Sequence, residues 1–316
     1  DDTSSNNWSA GTFVDTKTDT QNVTLNTTSI DSTTKLLLHM NGTDGATSTT
    51  DFSPSNHSIT FVGDAHINTS ESKFGGSAVK FDGQTTRDYL TIPNHADFKF
   101  GTGDFTIDLW VNFNRIVTSH GVANVLYETG SYSWTSGGMG IVQGDNKMVV
   151  GIDGTWAVVE SSTGLFSTGT WYHIAVVRDG STVKLYKDGS EIGSGSSSAD
   201  ISSSADIWIG TDVNNYGTAT NLDGYLDEYR VSKGIARWTG NFIPPTREYP
   251  LLFSSSGNFT SQTFDAGSSS TWSSLNWTNT SSTGNNITFQ VMSCDDASCS
   301  GETWVGPDNT SSTYFL

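Results

Sequence analysis

The chain has 316 residues, enough for one large or two to three smaller domains, and is 34% apolar, 11% aromatic and only 15% charged. A formal net charge of −18 excludes nucleic acid or an anionic membrane as the main partner, since phosphate binding needs clustered Lys and Arg. So many aromatics require a packed interior and exclude a disordered polyelectrolyte, and no stretch approaches the ~20 apolar residues of a membrane span.

In chain order, residues 1–33 are polar with one alternating run, "GTFVDTKTDTQNVTLN", read as strands Thr12–Lys17 and Asn22–Leu25. The opening "DDTSSNNWS" reads as a processed terminus or a cut within a longer chain. A main block, 34–250, follows. Its first half is expected to form strands Leu36–Met40, Ser58–Phe61, Ala78–Phe81, Tyr89–Ile92, Phe105–Phe113, Asn124–Glu128 and Gly138–Val142. Its second half adds Lys147–Ile152, Ala157–Ser161, Trp171–Arg178, Thr182–Lys187, Ile207–Ile209 and Gly224–Val231. Gly, Asn, Asp and Ser clusters separate them, and "KDGSEIG" carries the Asp-Gly signal of a two-residue hairpin.

Two strands show how they are buried. In "FTIDLWVNF" the residues Phe105, Ile107, Leu109, Val111 and Phe113 share one face, while Asp108, Trp110 and Asn112 share the other. In "WYHIAVVRDG" both faces are apolar, as for a central strand packed on two sides. More than ten short strands without a convincing helix point to an all-β, two-sheet sandwich.

The third block, 251–316, has five expected strands: Phe259–Phe264, Ser274–Thr278, Ile287–Ser293, Thr303–Val305 and Thr313–Leu316. They would make a small, marginal sandwich whose last strand is left open. Residues 1–33 would then serve as a donor strand that completes the sandwich of the next copy, building a head-to-tail filament. The competing reading is a piece of a longer adhesin whose sheet is finished in cis. The two cysteines, Cys294 and Cys299, are expected to form a disulfide across a tight loop in an oxidising compartment.

Glycosylation sequons stand at Asn7, Asn22, Asn26, Asn41, Asn56, Asn68, Asn258, Asn276, Asn279, Asn286 and Asn309. They leave the middle of the chain free, and they favour an exported, extracellular or cell-surface glycoprotein over simple Ser/Thr bias. Trp134, Trp156, Tyr132 and Tyr216 lie in loop-prone stretches and are candidates for stacking on sugar rings, against ordinary packing at the edge of the core.

The stretches "LLLHMNGTDGATSTTDFSPSNHSITFVGDAHINTSESKFGGSAVKFDGQTTRDYLTIP", "FGTGDFTIDLWV" and "TWYHIAVVRDGSTVKLYKDG" occur in the order of a known family. Over 36–249 the chain resembles the concanavalin A-like, LamG/pentraxin-type jelly roll of microbial and phage surface proteins. That resemblance implies a concanavalin A-like jelly-roll sandwich of two antiparallel sheets, usually non-catalytic, used in adhesion or glycan recognition. More weakly, 252–316 resembles the small β-sandwich repeats of secreted surface proteins, in "FDAG" and "SCDDASCSG".

The resemblance also suggests a structural calcium held by Asp227 of the last strand, with Asp82, Asp44 and Asn41 from oxygen-rich loops. The alternative is that Asp227 and Glu228 face water or pair with Arg230 and Lys233. Hydrolases on this fold carry two glutamates flanking an aspartate at alternate positions of one strand. Here the nearest strand offers Asp104 and Asp108 and no Glu, Glu128 and Glu160 are isolated, and His173 reads as core, so no catalytic residue is assigned. The sequence thus leads to a glycosylated, non-enzymatic surface protein acting as a filament subunit, with a glycan-binding adhesin or viral fibre domain as the alternative.

Overall fold

A computed structural model describes residues 12–14, 16–18, 23–25, 30–83, 87–130, 134–212, 220–249, 258–260, 288–294 and 301–314. The chain divides into two compact units, one formed by Thr27–Ser255 and the other by Asp1–Asn26 together with Ser256–Leu316. These differ from the expected boundaries at 33 and 250, and the smaller unit joins the two ends of the chain.

In that smaller unit β1 (Thr12–Val14) precedes a hairpin of β2 (Thr16–Thr18) and β3 (Val23–Leu25). The N-terminal segment, expected to serve a neighbouring copy, instead pairs β1 antiparallel with residues 258–260 of its own chain, Phe13 opposite Phe259.

The larger unit begins with β4 (Thr34–Leu38), β5 (Thr60–Val62), β6 (His66–Asn68), β7 (Ala78–Asp82), β8 (Tyr89–Ile92) and β9 (Phe105–Phe113). It continues with β10 (Asn124–Thr129), β11 (Met139–Gly144), β12 (Lys147–Ile152), β13 (Thr155–Glu160) and β14 (Trp171–Asp179). It closes with β15 (Thr182–Lys187), β16 (Ser190–Ser196), β17 (Ile207–Ile209) and β18 (Asp223–Lys233). The strand of residues 258–260 is β19. Of the expected C-terminal sandwich, the described residues show β19 and an isolated bridge between Val291 and Val305, not the strands Ile287–Ser293 and Thr303–Val305; the expected strand Ser274–Thr278 lies outside them.

Two antiparallel sheets make the larger unit. One runs β13-β12-β11-β10-β17-β8-β5; the other runs β16-β15-β14-β9-β18-β7-β6, with β4 also on β18. Between them lies the core, fed by alternate residues of each strand: Phe105, Ile107, Leu109, Val111 and Phe113 from β9 and Ile174 and Val176 from β14. The opposite face of β14 is also apolar, and Ala175 and Val177 pack with Tyr186 beneath Trp238 and Phe242. Central strands of this sheet are therefore buried on both sides, and all nine residues of β9 are buried. The hairpins close on left-handed pairs, Asp188-Gly189 with φ of 49° and 77° and Asp145-Asn146 with φ of 49° and 59°, whose twist matches that of the strands they join.

Candidate functional site

The acidic pair of β18 sits where that strand changes partner. Asp223 to Leu226 pair with β7, Tyr229 to Ser232 pair with β4, and a bulge lies between. Glu228 takes φ of 48° in the bulge, which turns both carboxyls onto buried partners. Asp227 accepts the backbone N–H groups of Lys73 and Phe74 at 2.8 and 2.9 Å and that of Glu228 at 2.8 Å. Glu228 lies 2.6 Å from His39 Nδ1 and accepts the Tyr249 N–H at 2.6 Å. Neither residue faces water.

Burial pushes the Asp227 carboxyl up to about 8, against the N–H groups that favour its anion. A raised folded-state value means that the folded chain keeps a proton the unfolded chain has lost. Its contribution is full below the ordinary carboxyl value and is lost as pH rises through about 8. Melting temperature measured across this range should fall with rising pH in the wild type, and Asp227→Asn should flatten that slope; equal slopes would refute the assignment.

Beside the bulge, on the outer face of the same sheet, Asp108 is fully buried. It receives Arg230 at 2.9 and 3.2 Å, accepts the Tyr249 hydroxyl and lies 3.4 Å from His173 Nε2. Burial would raise its carboxyl, but the Arg230 guanidinium, joined by His173, holds it down to about 2. Next to this network opens a cleft of about 500 Å³ lined by Lys73, Phe74, Trp110, Trp171, Ile243 and Pro244 among others, with Lys73 Nζ 3.9 Å over the Trp110 ring.

The outer face of the other sheet carries an exposed aromatic surface. Register places Gly151 of β12 opposite Gly140 of β11, Gly140 opposite Glu128 of β10, and Glu128 opposite Trp208 of β17, so all four share one face. Trp134 takes φ of 57° and lays its indole over the two glycines; a Cβ on Gly151 or Gly140 would stand 1.8 or 2.1 Å from it. Trp156 stacks on Trp134 at 4.8 Å and 14°, and is 52% exposed. Trp134 is buried among Val125, Val142 and Val149, so it supports the platform that Trp156 presents. On the same face Trp208 stacks on Tyr89 at 4.8 Å, with the Arg87 guanidinium 5.2 Å from each ring. Three strand spacings, about 14 Å, separate Gly151 from Trp208.

Two of the four expected stacking residues, Trp134 and Trp156, are thus brought together; Tyr132 and Tyr216 lie outside the described residues. Tyr89, Trp208 and Arg87 were not anticipated. The alternation in "YLTI" and "IWI" carried the signal, since Leu90, Ile92, Ile207 and Ile209 are core and leave Tyr89 and Trp208 outward.

The expected calcium ligands each have a protein partner or a strand-register position. Asp227 is bonded to backbone N–H groups, Asn41 donates to Glu248 at 2.6 Å, Asp44 accepts the Thr69 N–H at 3.0 Å, and Asp82 stands opposite Asp223. Among the described residues the one group of three His, Cys, Asp or Glu side chains with ligand atoms within 4.8 Å is His57, His95 and Asp97.

Asn41, Asn56 and Asn309 are exposed and Asn68 is half-buried; the side chain of Asn258 and the residues Asn7, Asn22, Asn26, Asn276, Asn279 and Asn286 lie outside the described residues. Cys294 is half-buried, and Cys299 lies outside them. Glu160 is exposed and pairs with Lys147 at 3.0 Å, while Glu128 and Asp108 belong to different sheets.

Residues 82–237 match the family model of the concanavalin A-like lectin/glucanases superfamily. With the two antiparallel sheets, that match defines the larger unit as a concanavalin A-like jelly roll. Among solved structures, the chain is similar to the binding domain of Paraclostridial Mosquitocidal Protein 1, with TM-score 0.50 and 16% identity over 64% of this chain and 49% of that one. Domain 4 of AbnA, a GH43 extracellular arabinanase from Geobacillus stearothermophilus solved with arabinotriose, gives TM-score 0.47 and 19% identity over 64% and 93%. The binding domain of botulinum neurotoxin serotype G gives TM-score 0.47 and 14% identity over 63% and 48%. The match spans about half the length of the two toxin domains. No curated protein matches the sequence. No helix among the described residues is long and apolar enough to cross a membrane.

Proposed function

We propose that the jelly roll is a non-catalytic glycan-binding domain of an extracellular surface protein, and that sugar rings stack on Trp156. The observation that carries this reading is a large indole held half in solvent by a second indole that is itself seated on two glycines. Such rigid, solvent-facing aromatic surface offers a π-face to the apolar face of a sugar at little entropic cost. The Tyr89–Trp208 pair and Arg87 extend the surface with a second ring and a cation. The lectin/glucanase family match supports the same class. A catalytic role draws no support from the carboxylates, because two-carboxylate hydrolysis needs both acids across one bond and Glu128 and Asp108 lie on different sheets.

The export reading keeps its sequons, and a Cys294–Cys299 bridge belongs with it. The pairing of β1 with β19 within one chain favours this reading over strand exchange into a filament.

The test is a glycan array followed by calorimetry on the glycan it selects. Trp156→Ala should weaken binding about ten-fold or more. Because the ring is half in solvent, stability should change by less than about 1 kcal/mol. Binding that survives the substitution unchanged, or an array with no ligand for the wild type, would overturn the proposal.

A further inference from the structure

We propose a binding site for a divalent transition-metal ion of the zinc class at His57, His95 and Asp97, on the rim of the jelly roll. The three side chains come from two loops. Asp97 lies in a 3-10 turn, Ala96–Phe98, whose N-cap is His95. His57 ends the loop "DFSPSNH", which Asp51 ties down by accepting the N–H groups of Leu37 and Ser53 at 2.9 and 2.8 Å and that of His57 at 2.7 Å. Both loops are therefore fixed by the fold before any ion arrives, the condition for a preorganised site.

The three donor atoms lie within 4.8 Å of one another, and two of their separations match ligands around one ion. His57 Nε2 and His95 Nδ1 each lie 3.2 Å from the same oxygen, Asp97 Oδ2. Two ligands on a tetrahedral zinc, with bonds of about 2.0–2.1 Å, stand roughly 3.3 Å apart. Without an ion the arrangement is in conflict. His95 Nδ1 accepts the Asp97 backbone N–H at 3.2 Å, which requires a lone pair there, yet that nitrogen also faces the electron-rich Oδ2. A cation between nitrogen and oxygen turns the repulsion into two bonds, in exchange for the long hydrogen bond from the Asp97 N–H to the Nδ1 lone pair.

The surroundings are compatible with a bound ion. Ser55 Oγ donates to Oδ2 at 2.5 Å, Lys35 Nζ lies 4.0 Å from the other oxygen, Oδ1, and Lys233 Nζ donates to the Ala96 carbonyl at 2.7 Å. Lys35 thus leaves Oδ2 as the ligand atom. The His57 ring is braced by Phe98 at 4.7 Å, and His95 stays accessible with its side chain 53% exposed. Imidazole nitrogens with one carboxylate select zinc-class ions over calcium, which takes an all-oxygen shell. Three protein ligands leave a fourth position for water.

The test is calorimetric titration of the chelator-treated full chain with zinc chloride, and with calcium chloride as comparison. One equivalent of zinc should bind and raise the melting temperature, while calcium does not compete. His95→Ala, at an exposed side chain, should weaken zinc about 100-fold, with circular dichroism and the melting temperature of the metal-free variant checking that the fold survives loss of the cap. The double variant His66→Ala/His120→Ala, which removes a half-buried histidine of β6 and an exposed loop histidine, should bind as the wild type does. No zinc uptake by the wild type, equal affinity in His95→Ala, or loss of binding in the double variant would each overturn the site.

Discussion

Asp108→Asn will destabilise the jelly roll by about 3–5 kcal/mol at neutral pH, the cost of stranding one partner of a buried ion pair. The carboxylate is wholly buried, and Arg230, roofed by Tyr249 at 3.8 Å and Trp238 at 5.6 Å, has Asp108 as its main carboxylate partner, with Asp31 acting on it more weakly. An amide in place of the carboxylate leaves the guanidinium charged in a desolvated site. Typical domains have only about 5–15 kcal/mol to lose. The dependence on pH is a separate check. Asp108 is held down to about 2, so its stabilisation is fully present above the ordinary carboxyl value near 4 and is lost as pH falls toward 2. The gap between wild type and variant, measured by urea unfolding, should therefore close in that window. Replacing both partners, Asp108→Leu with Arg230→Met, should recover much of the loss, since no charge is then left alone. A single-variant cost below 1 kcal/mol, or a gap constant with pH, would show that the pair is not what secures the segment from Gly234 to Tyr249.

Gly151→Ala will unseat the aromatic platform. The added methyl would stand 1.8 and 1.9 Å from carbons of the Trp134 ring and 2.8 Å from the Trp156 carbonyl oxygen. Neither the ring nor a backbone oxygen of β13 can yield by that much in place, so the indole must leave the sheet and take its stacked neighbour with it. Overpacking of this kind costs about 1–3 kcal/mol. Glycan affinity should drop as far as in Trp156→Ala even though the ligand never meets residue 151. Near-ultraviolet circular dichroism reports the indole stack directly and should lose its signature. Gly240→Ala, where a Cβ meets nothing within 4 Å, is the control. Unchanged spectra and melting in Gly151→Ala would place Trp134 elsewhere.

The sheets were legible because the patterns that make them are local. Alternation in β9 and two-sided apolarity in β14 read directly as inner and outer faces, and Asp188-Gly189 as a turn. What escaped was whatever depends on partners distant in sequence. β6 is three residues with a single buried position, Ile67, too little to show a period. The Asp227-Glu228 pair looked like ligands or a wet face because its donors, Lys73, Phe74, His39 and Tyr249, arrive from elsewhere in the chain. Trp134 and Trp156 were picked for their loops, but the pair of glycines that seats them is visible only once register is known. His57 and Asp97 lie 40 residues apart in sequence, and only the meeting of two loops brings them and His95 together.

The pairing of β1 with β19 also sets an order of events during synthesis. Thr12 leaves the ribosome early and cannot meet Thr260 until the whole jelly roll has been translated. The inserted domain can therefore collapse first, as a unit, while the leading strand waits unsatisfied. Ring closure over so long a segment is slow by entropy alone, and a chain stalled before β19 would carry a bare strand edge in search of any backbone.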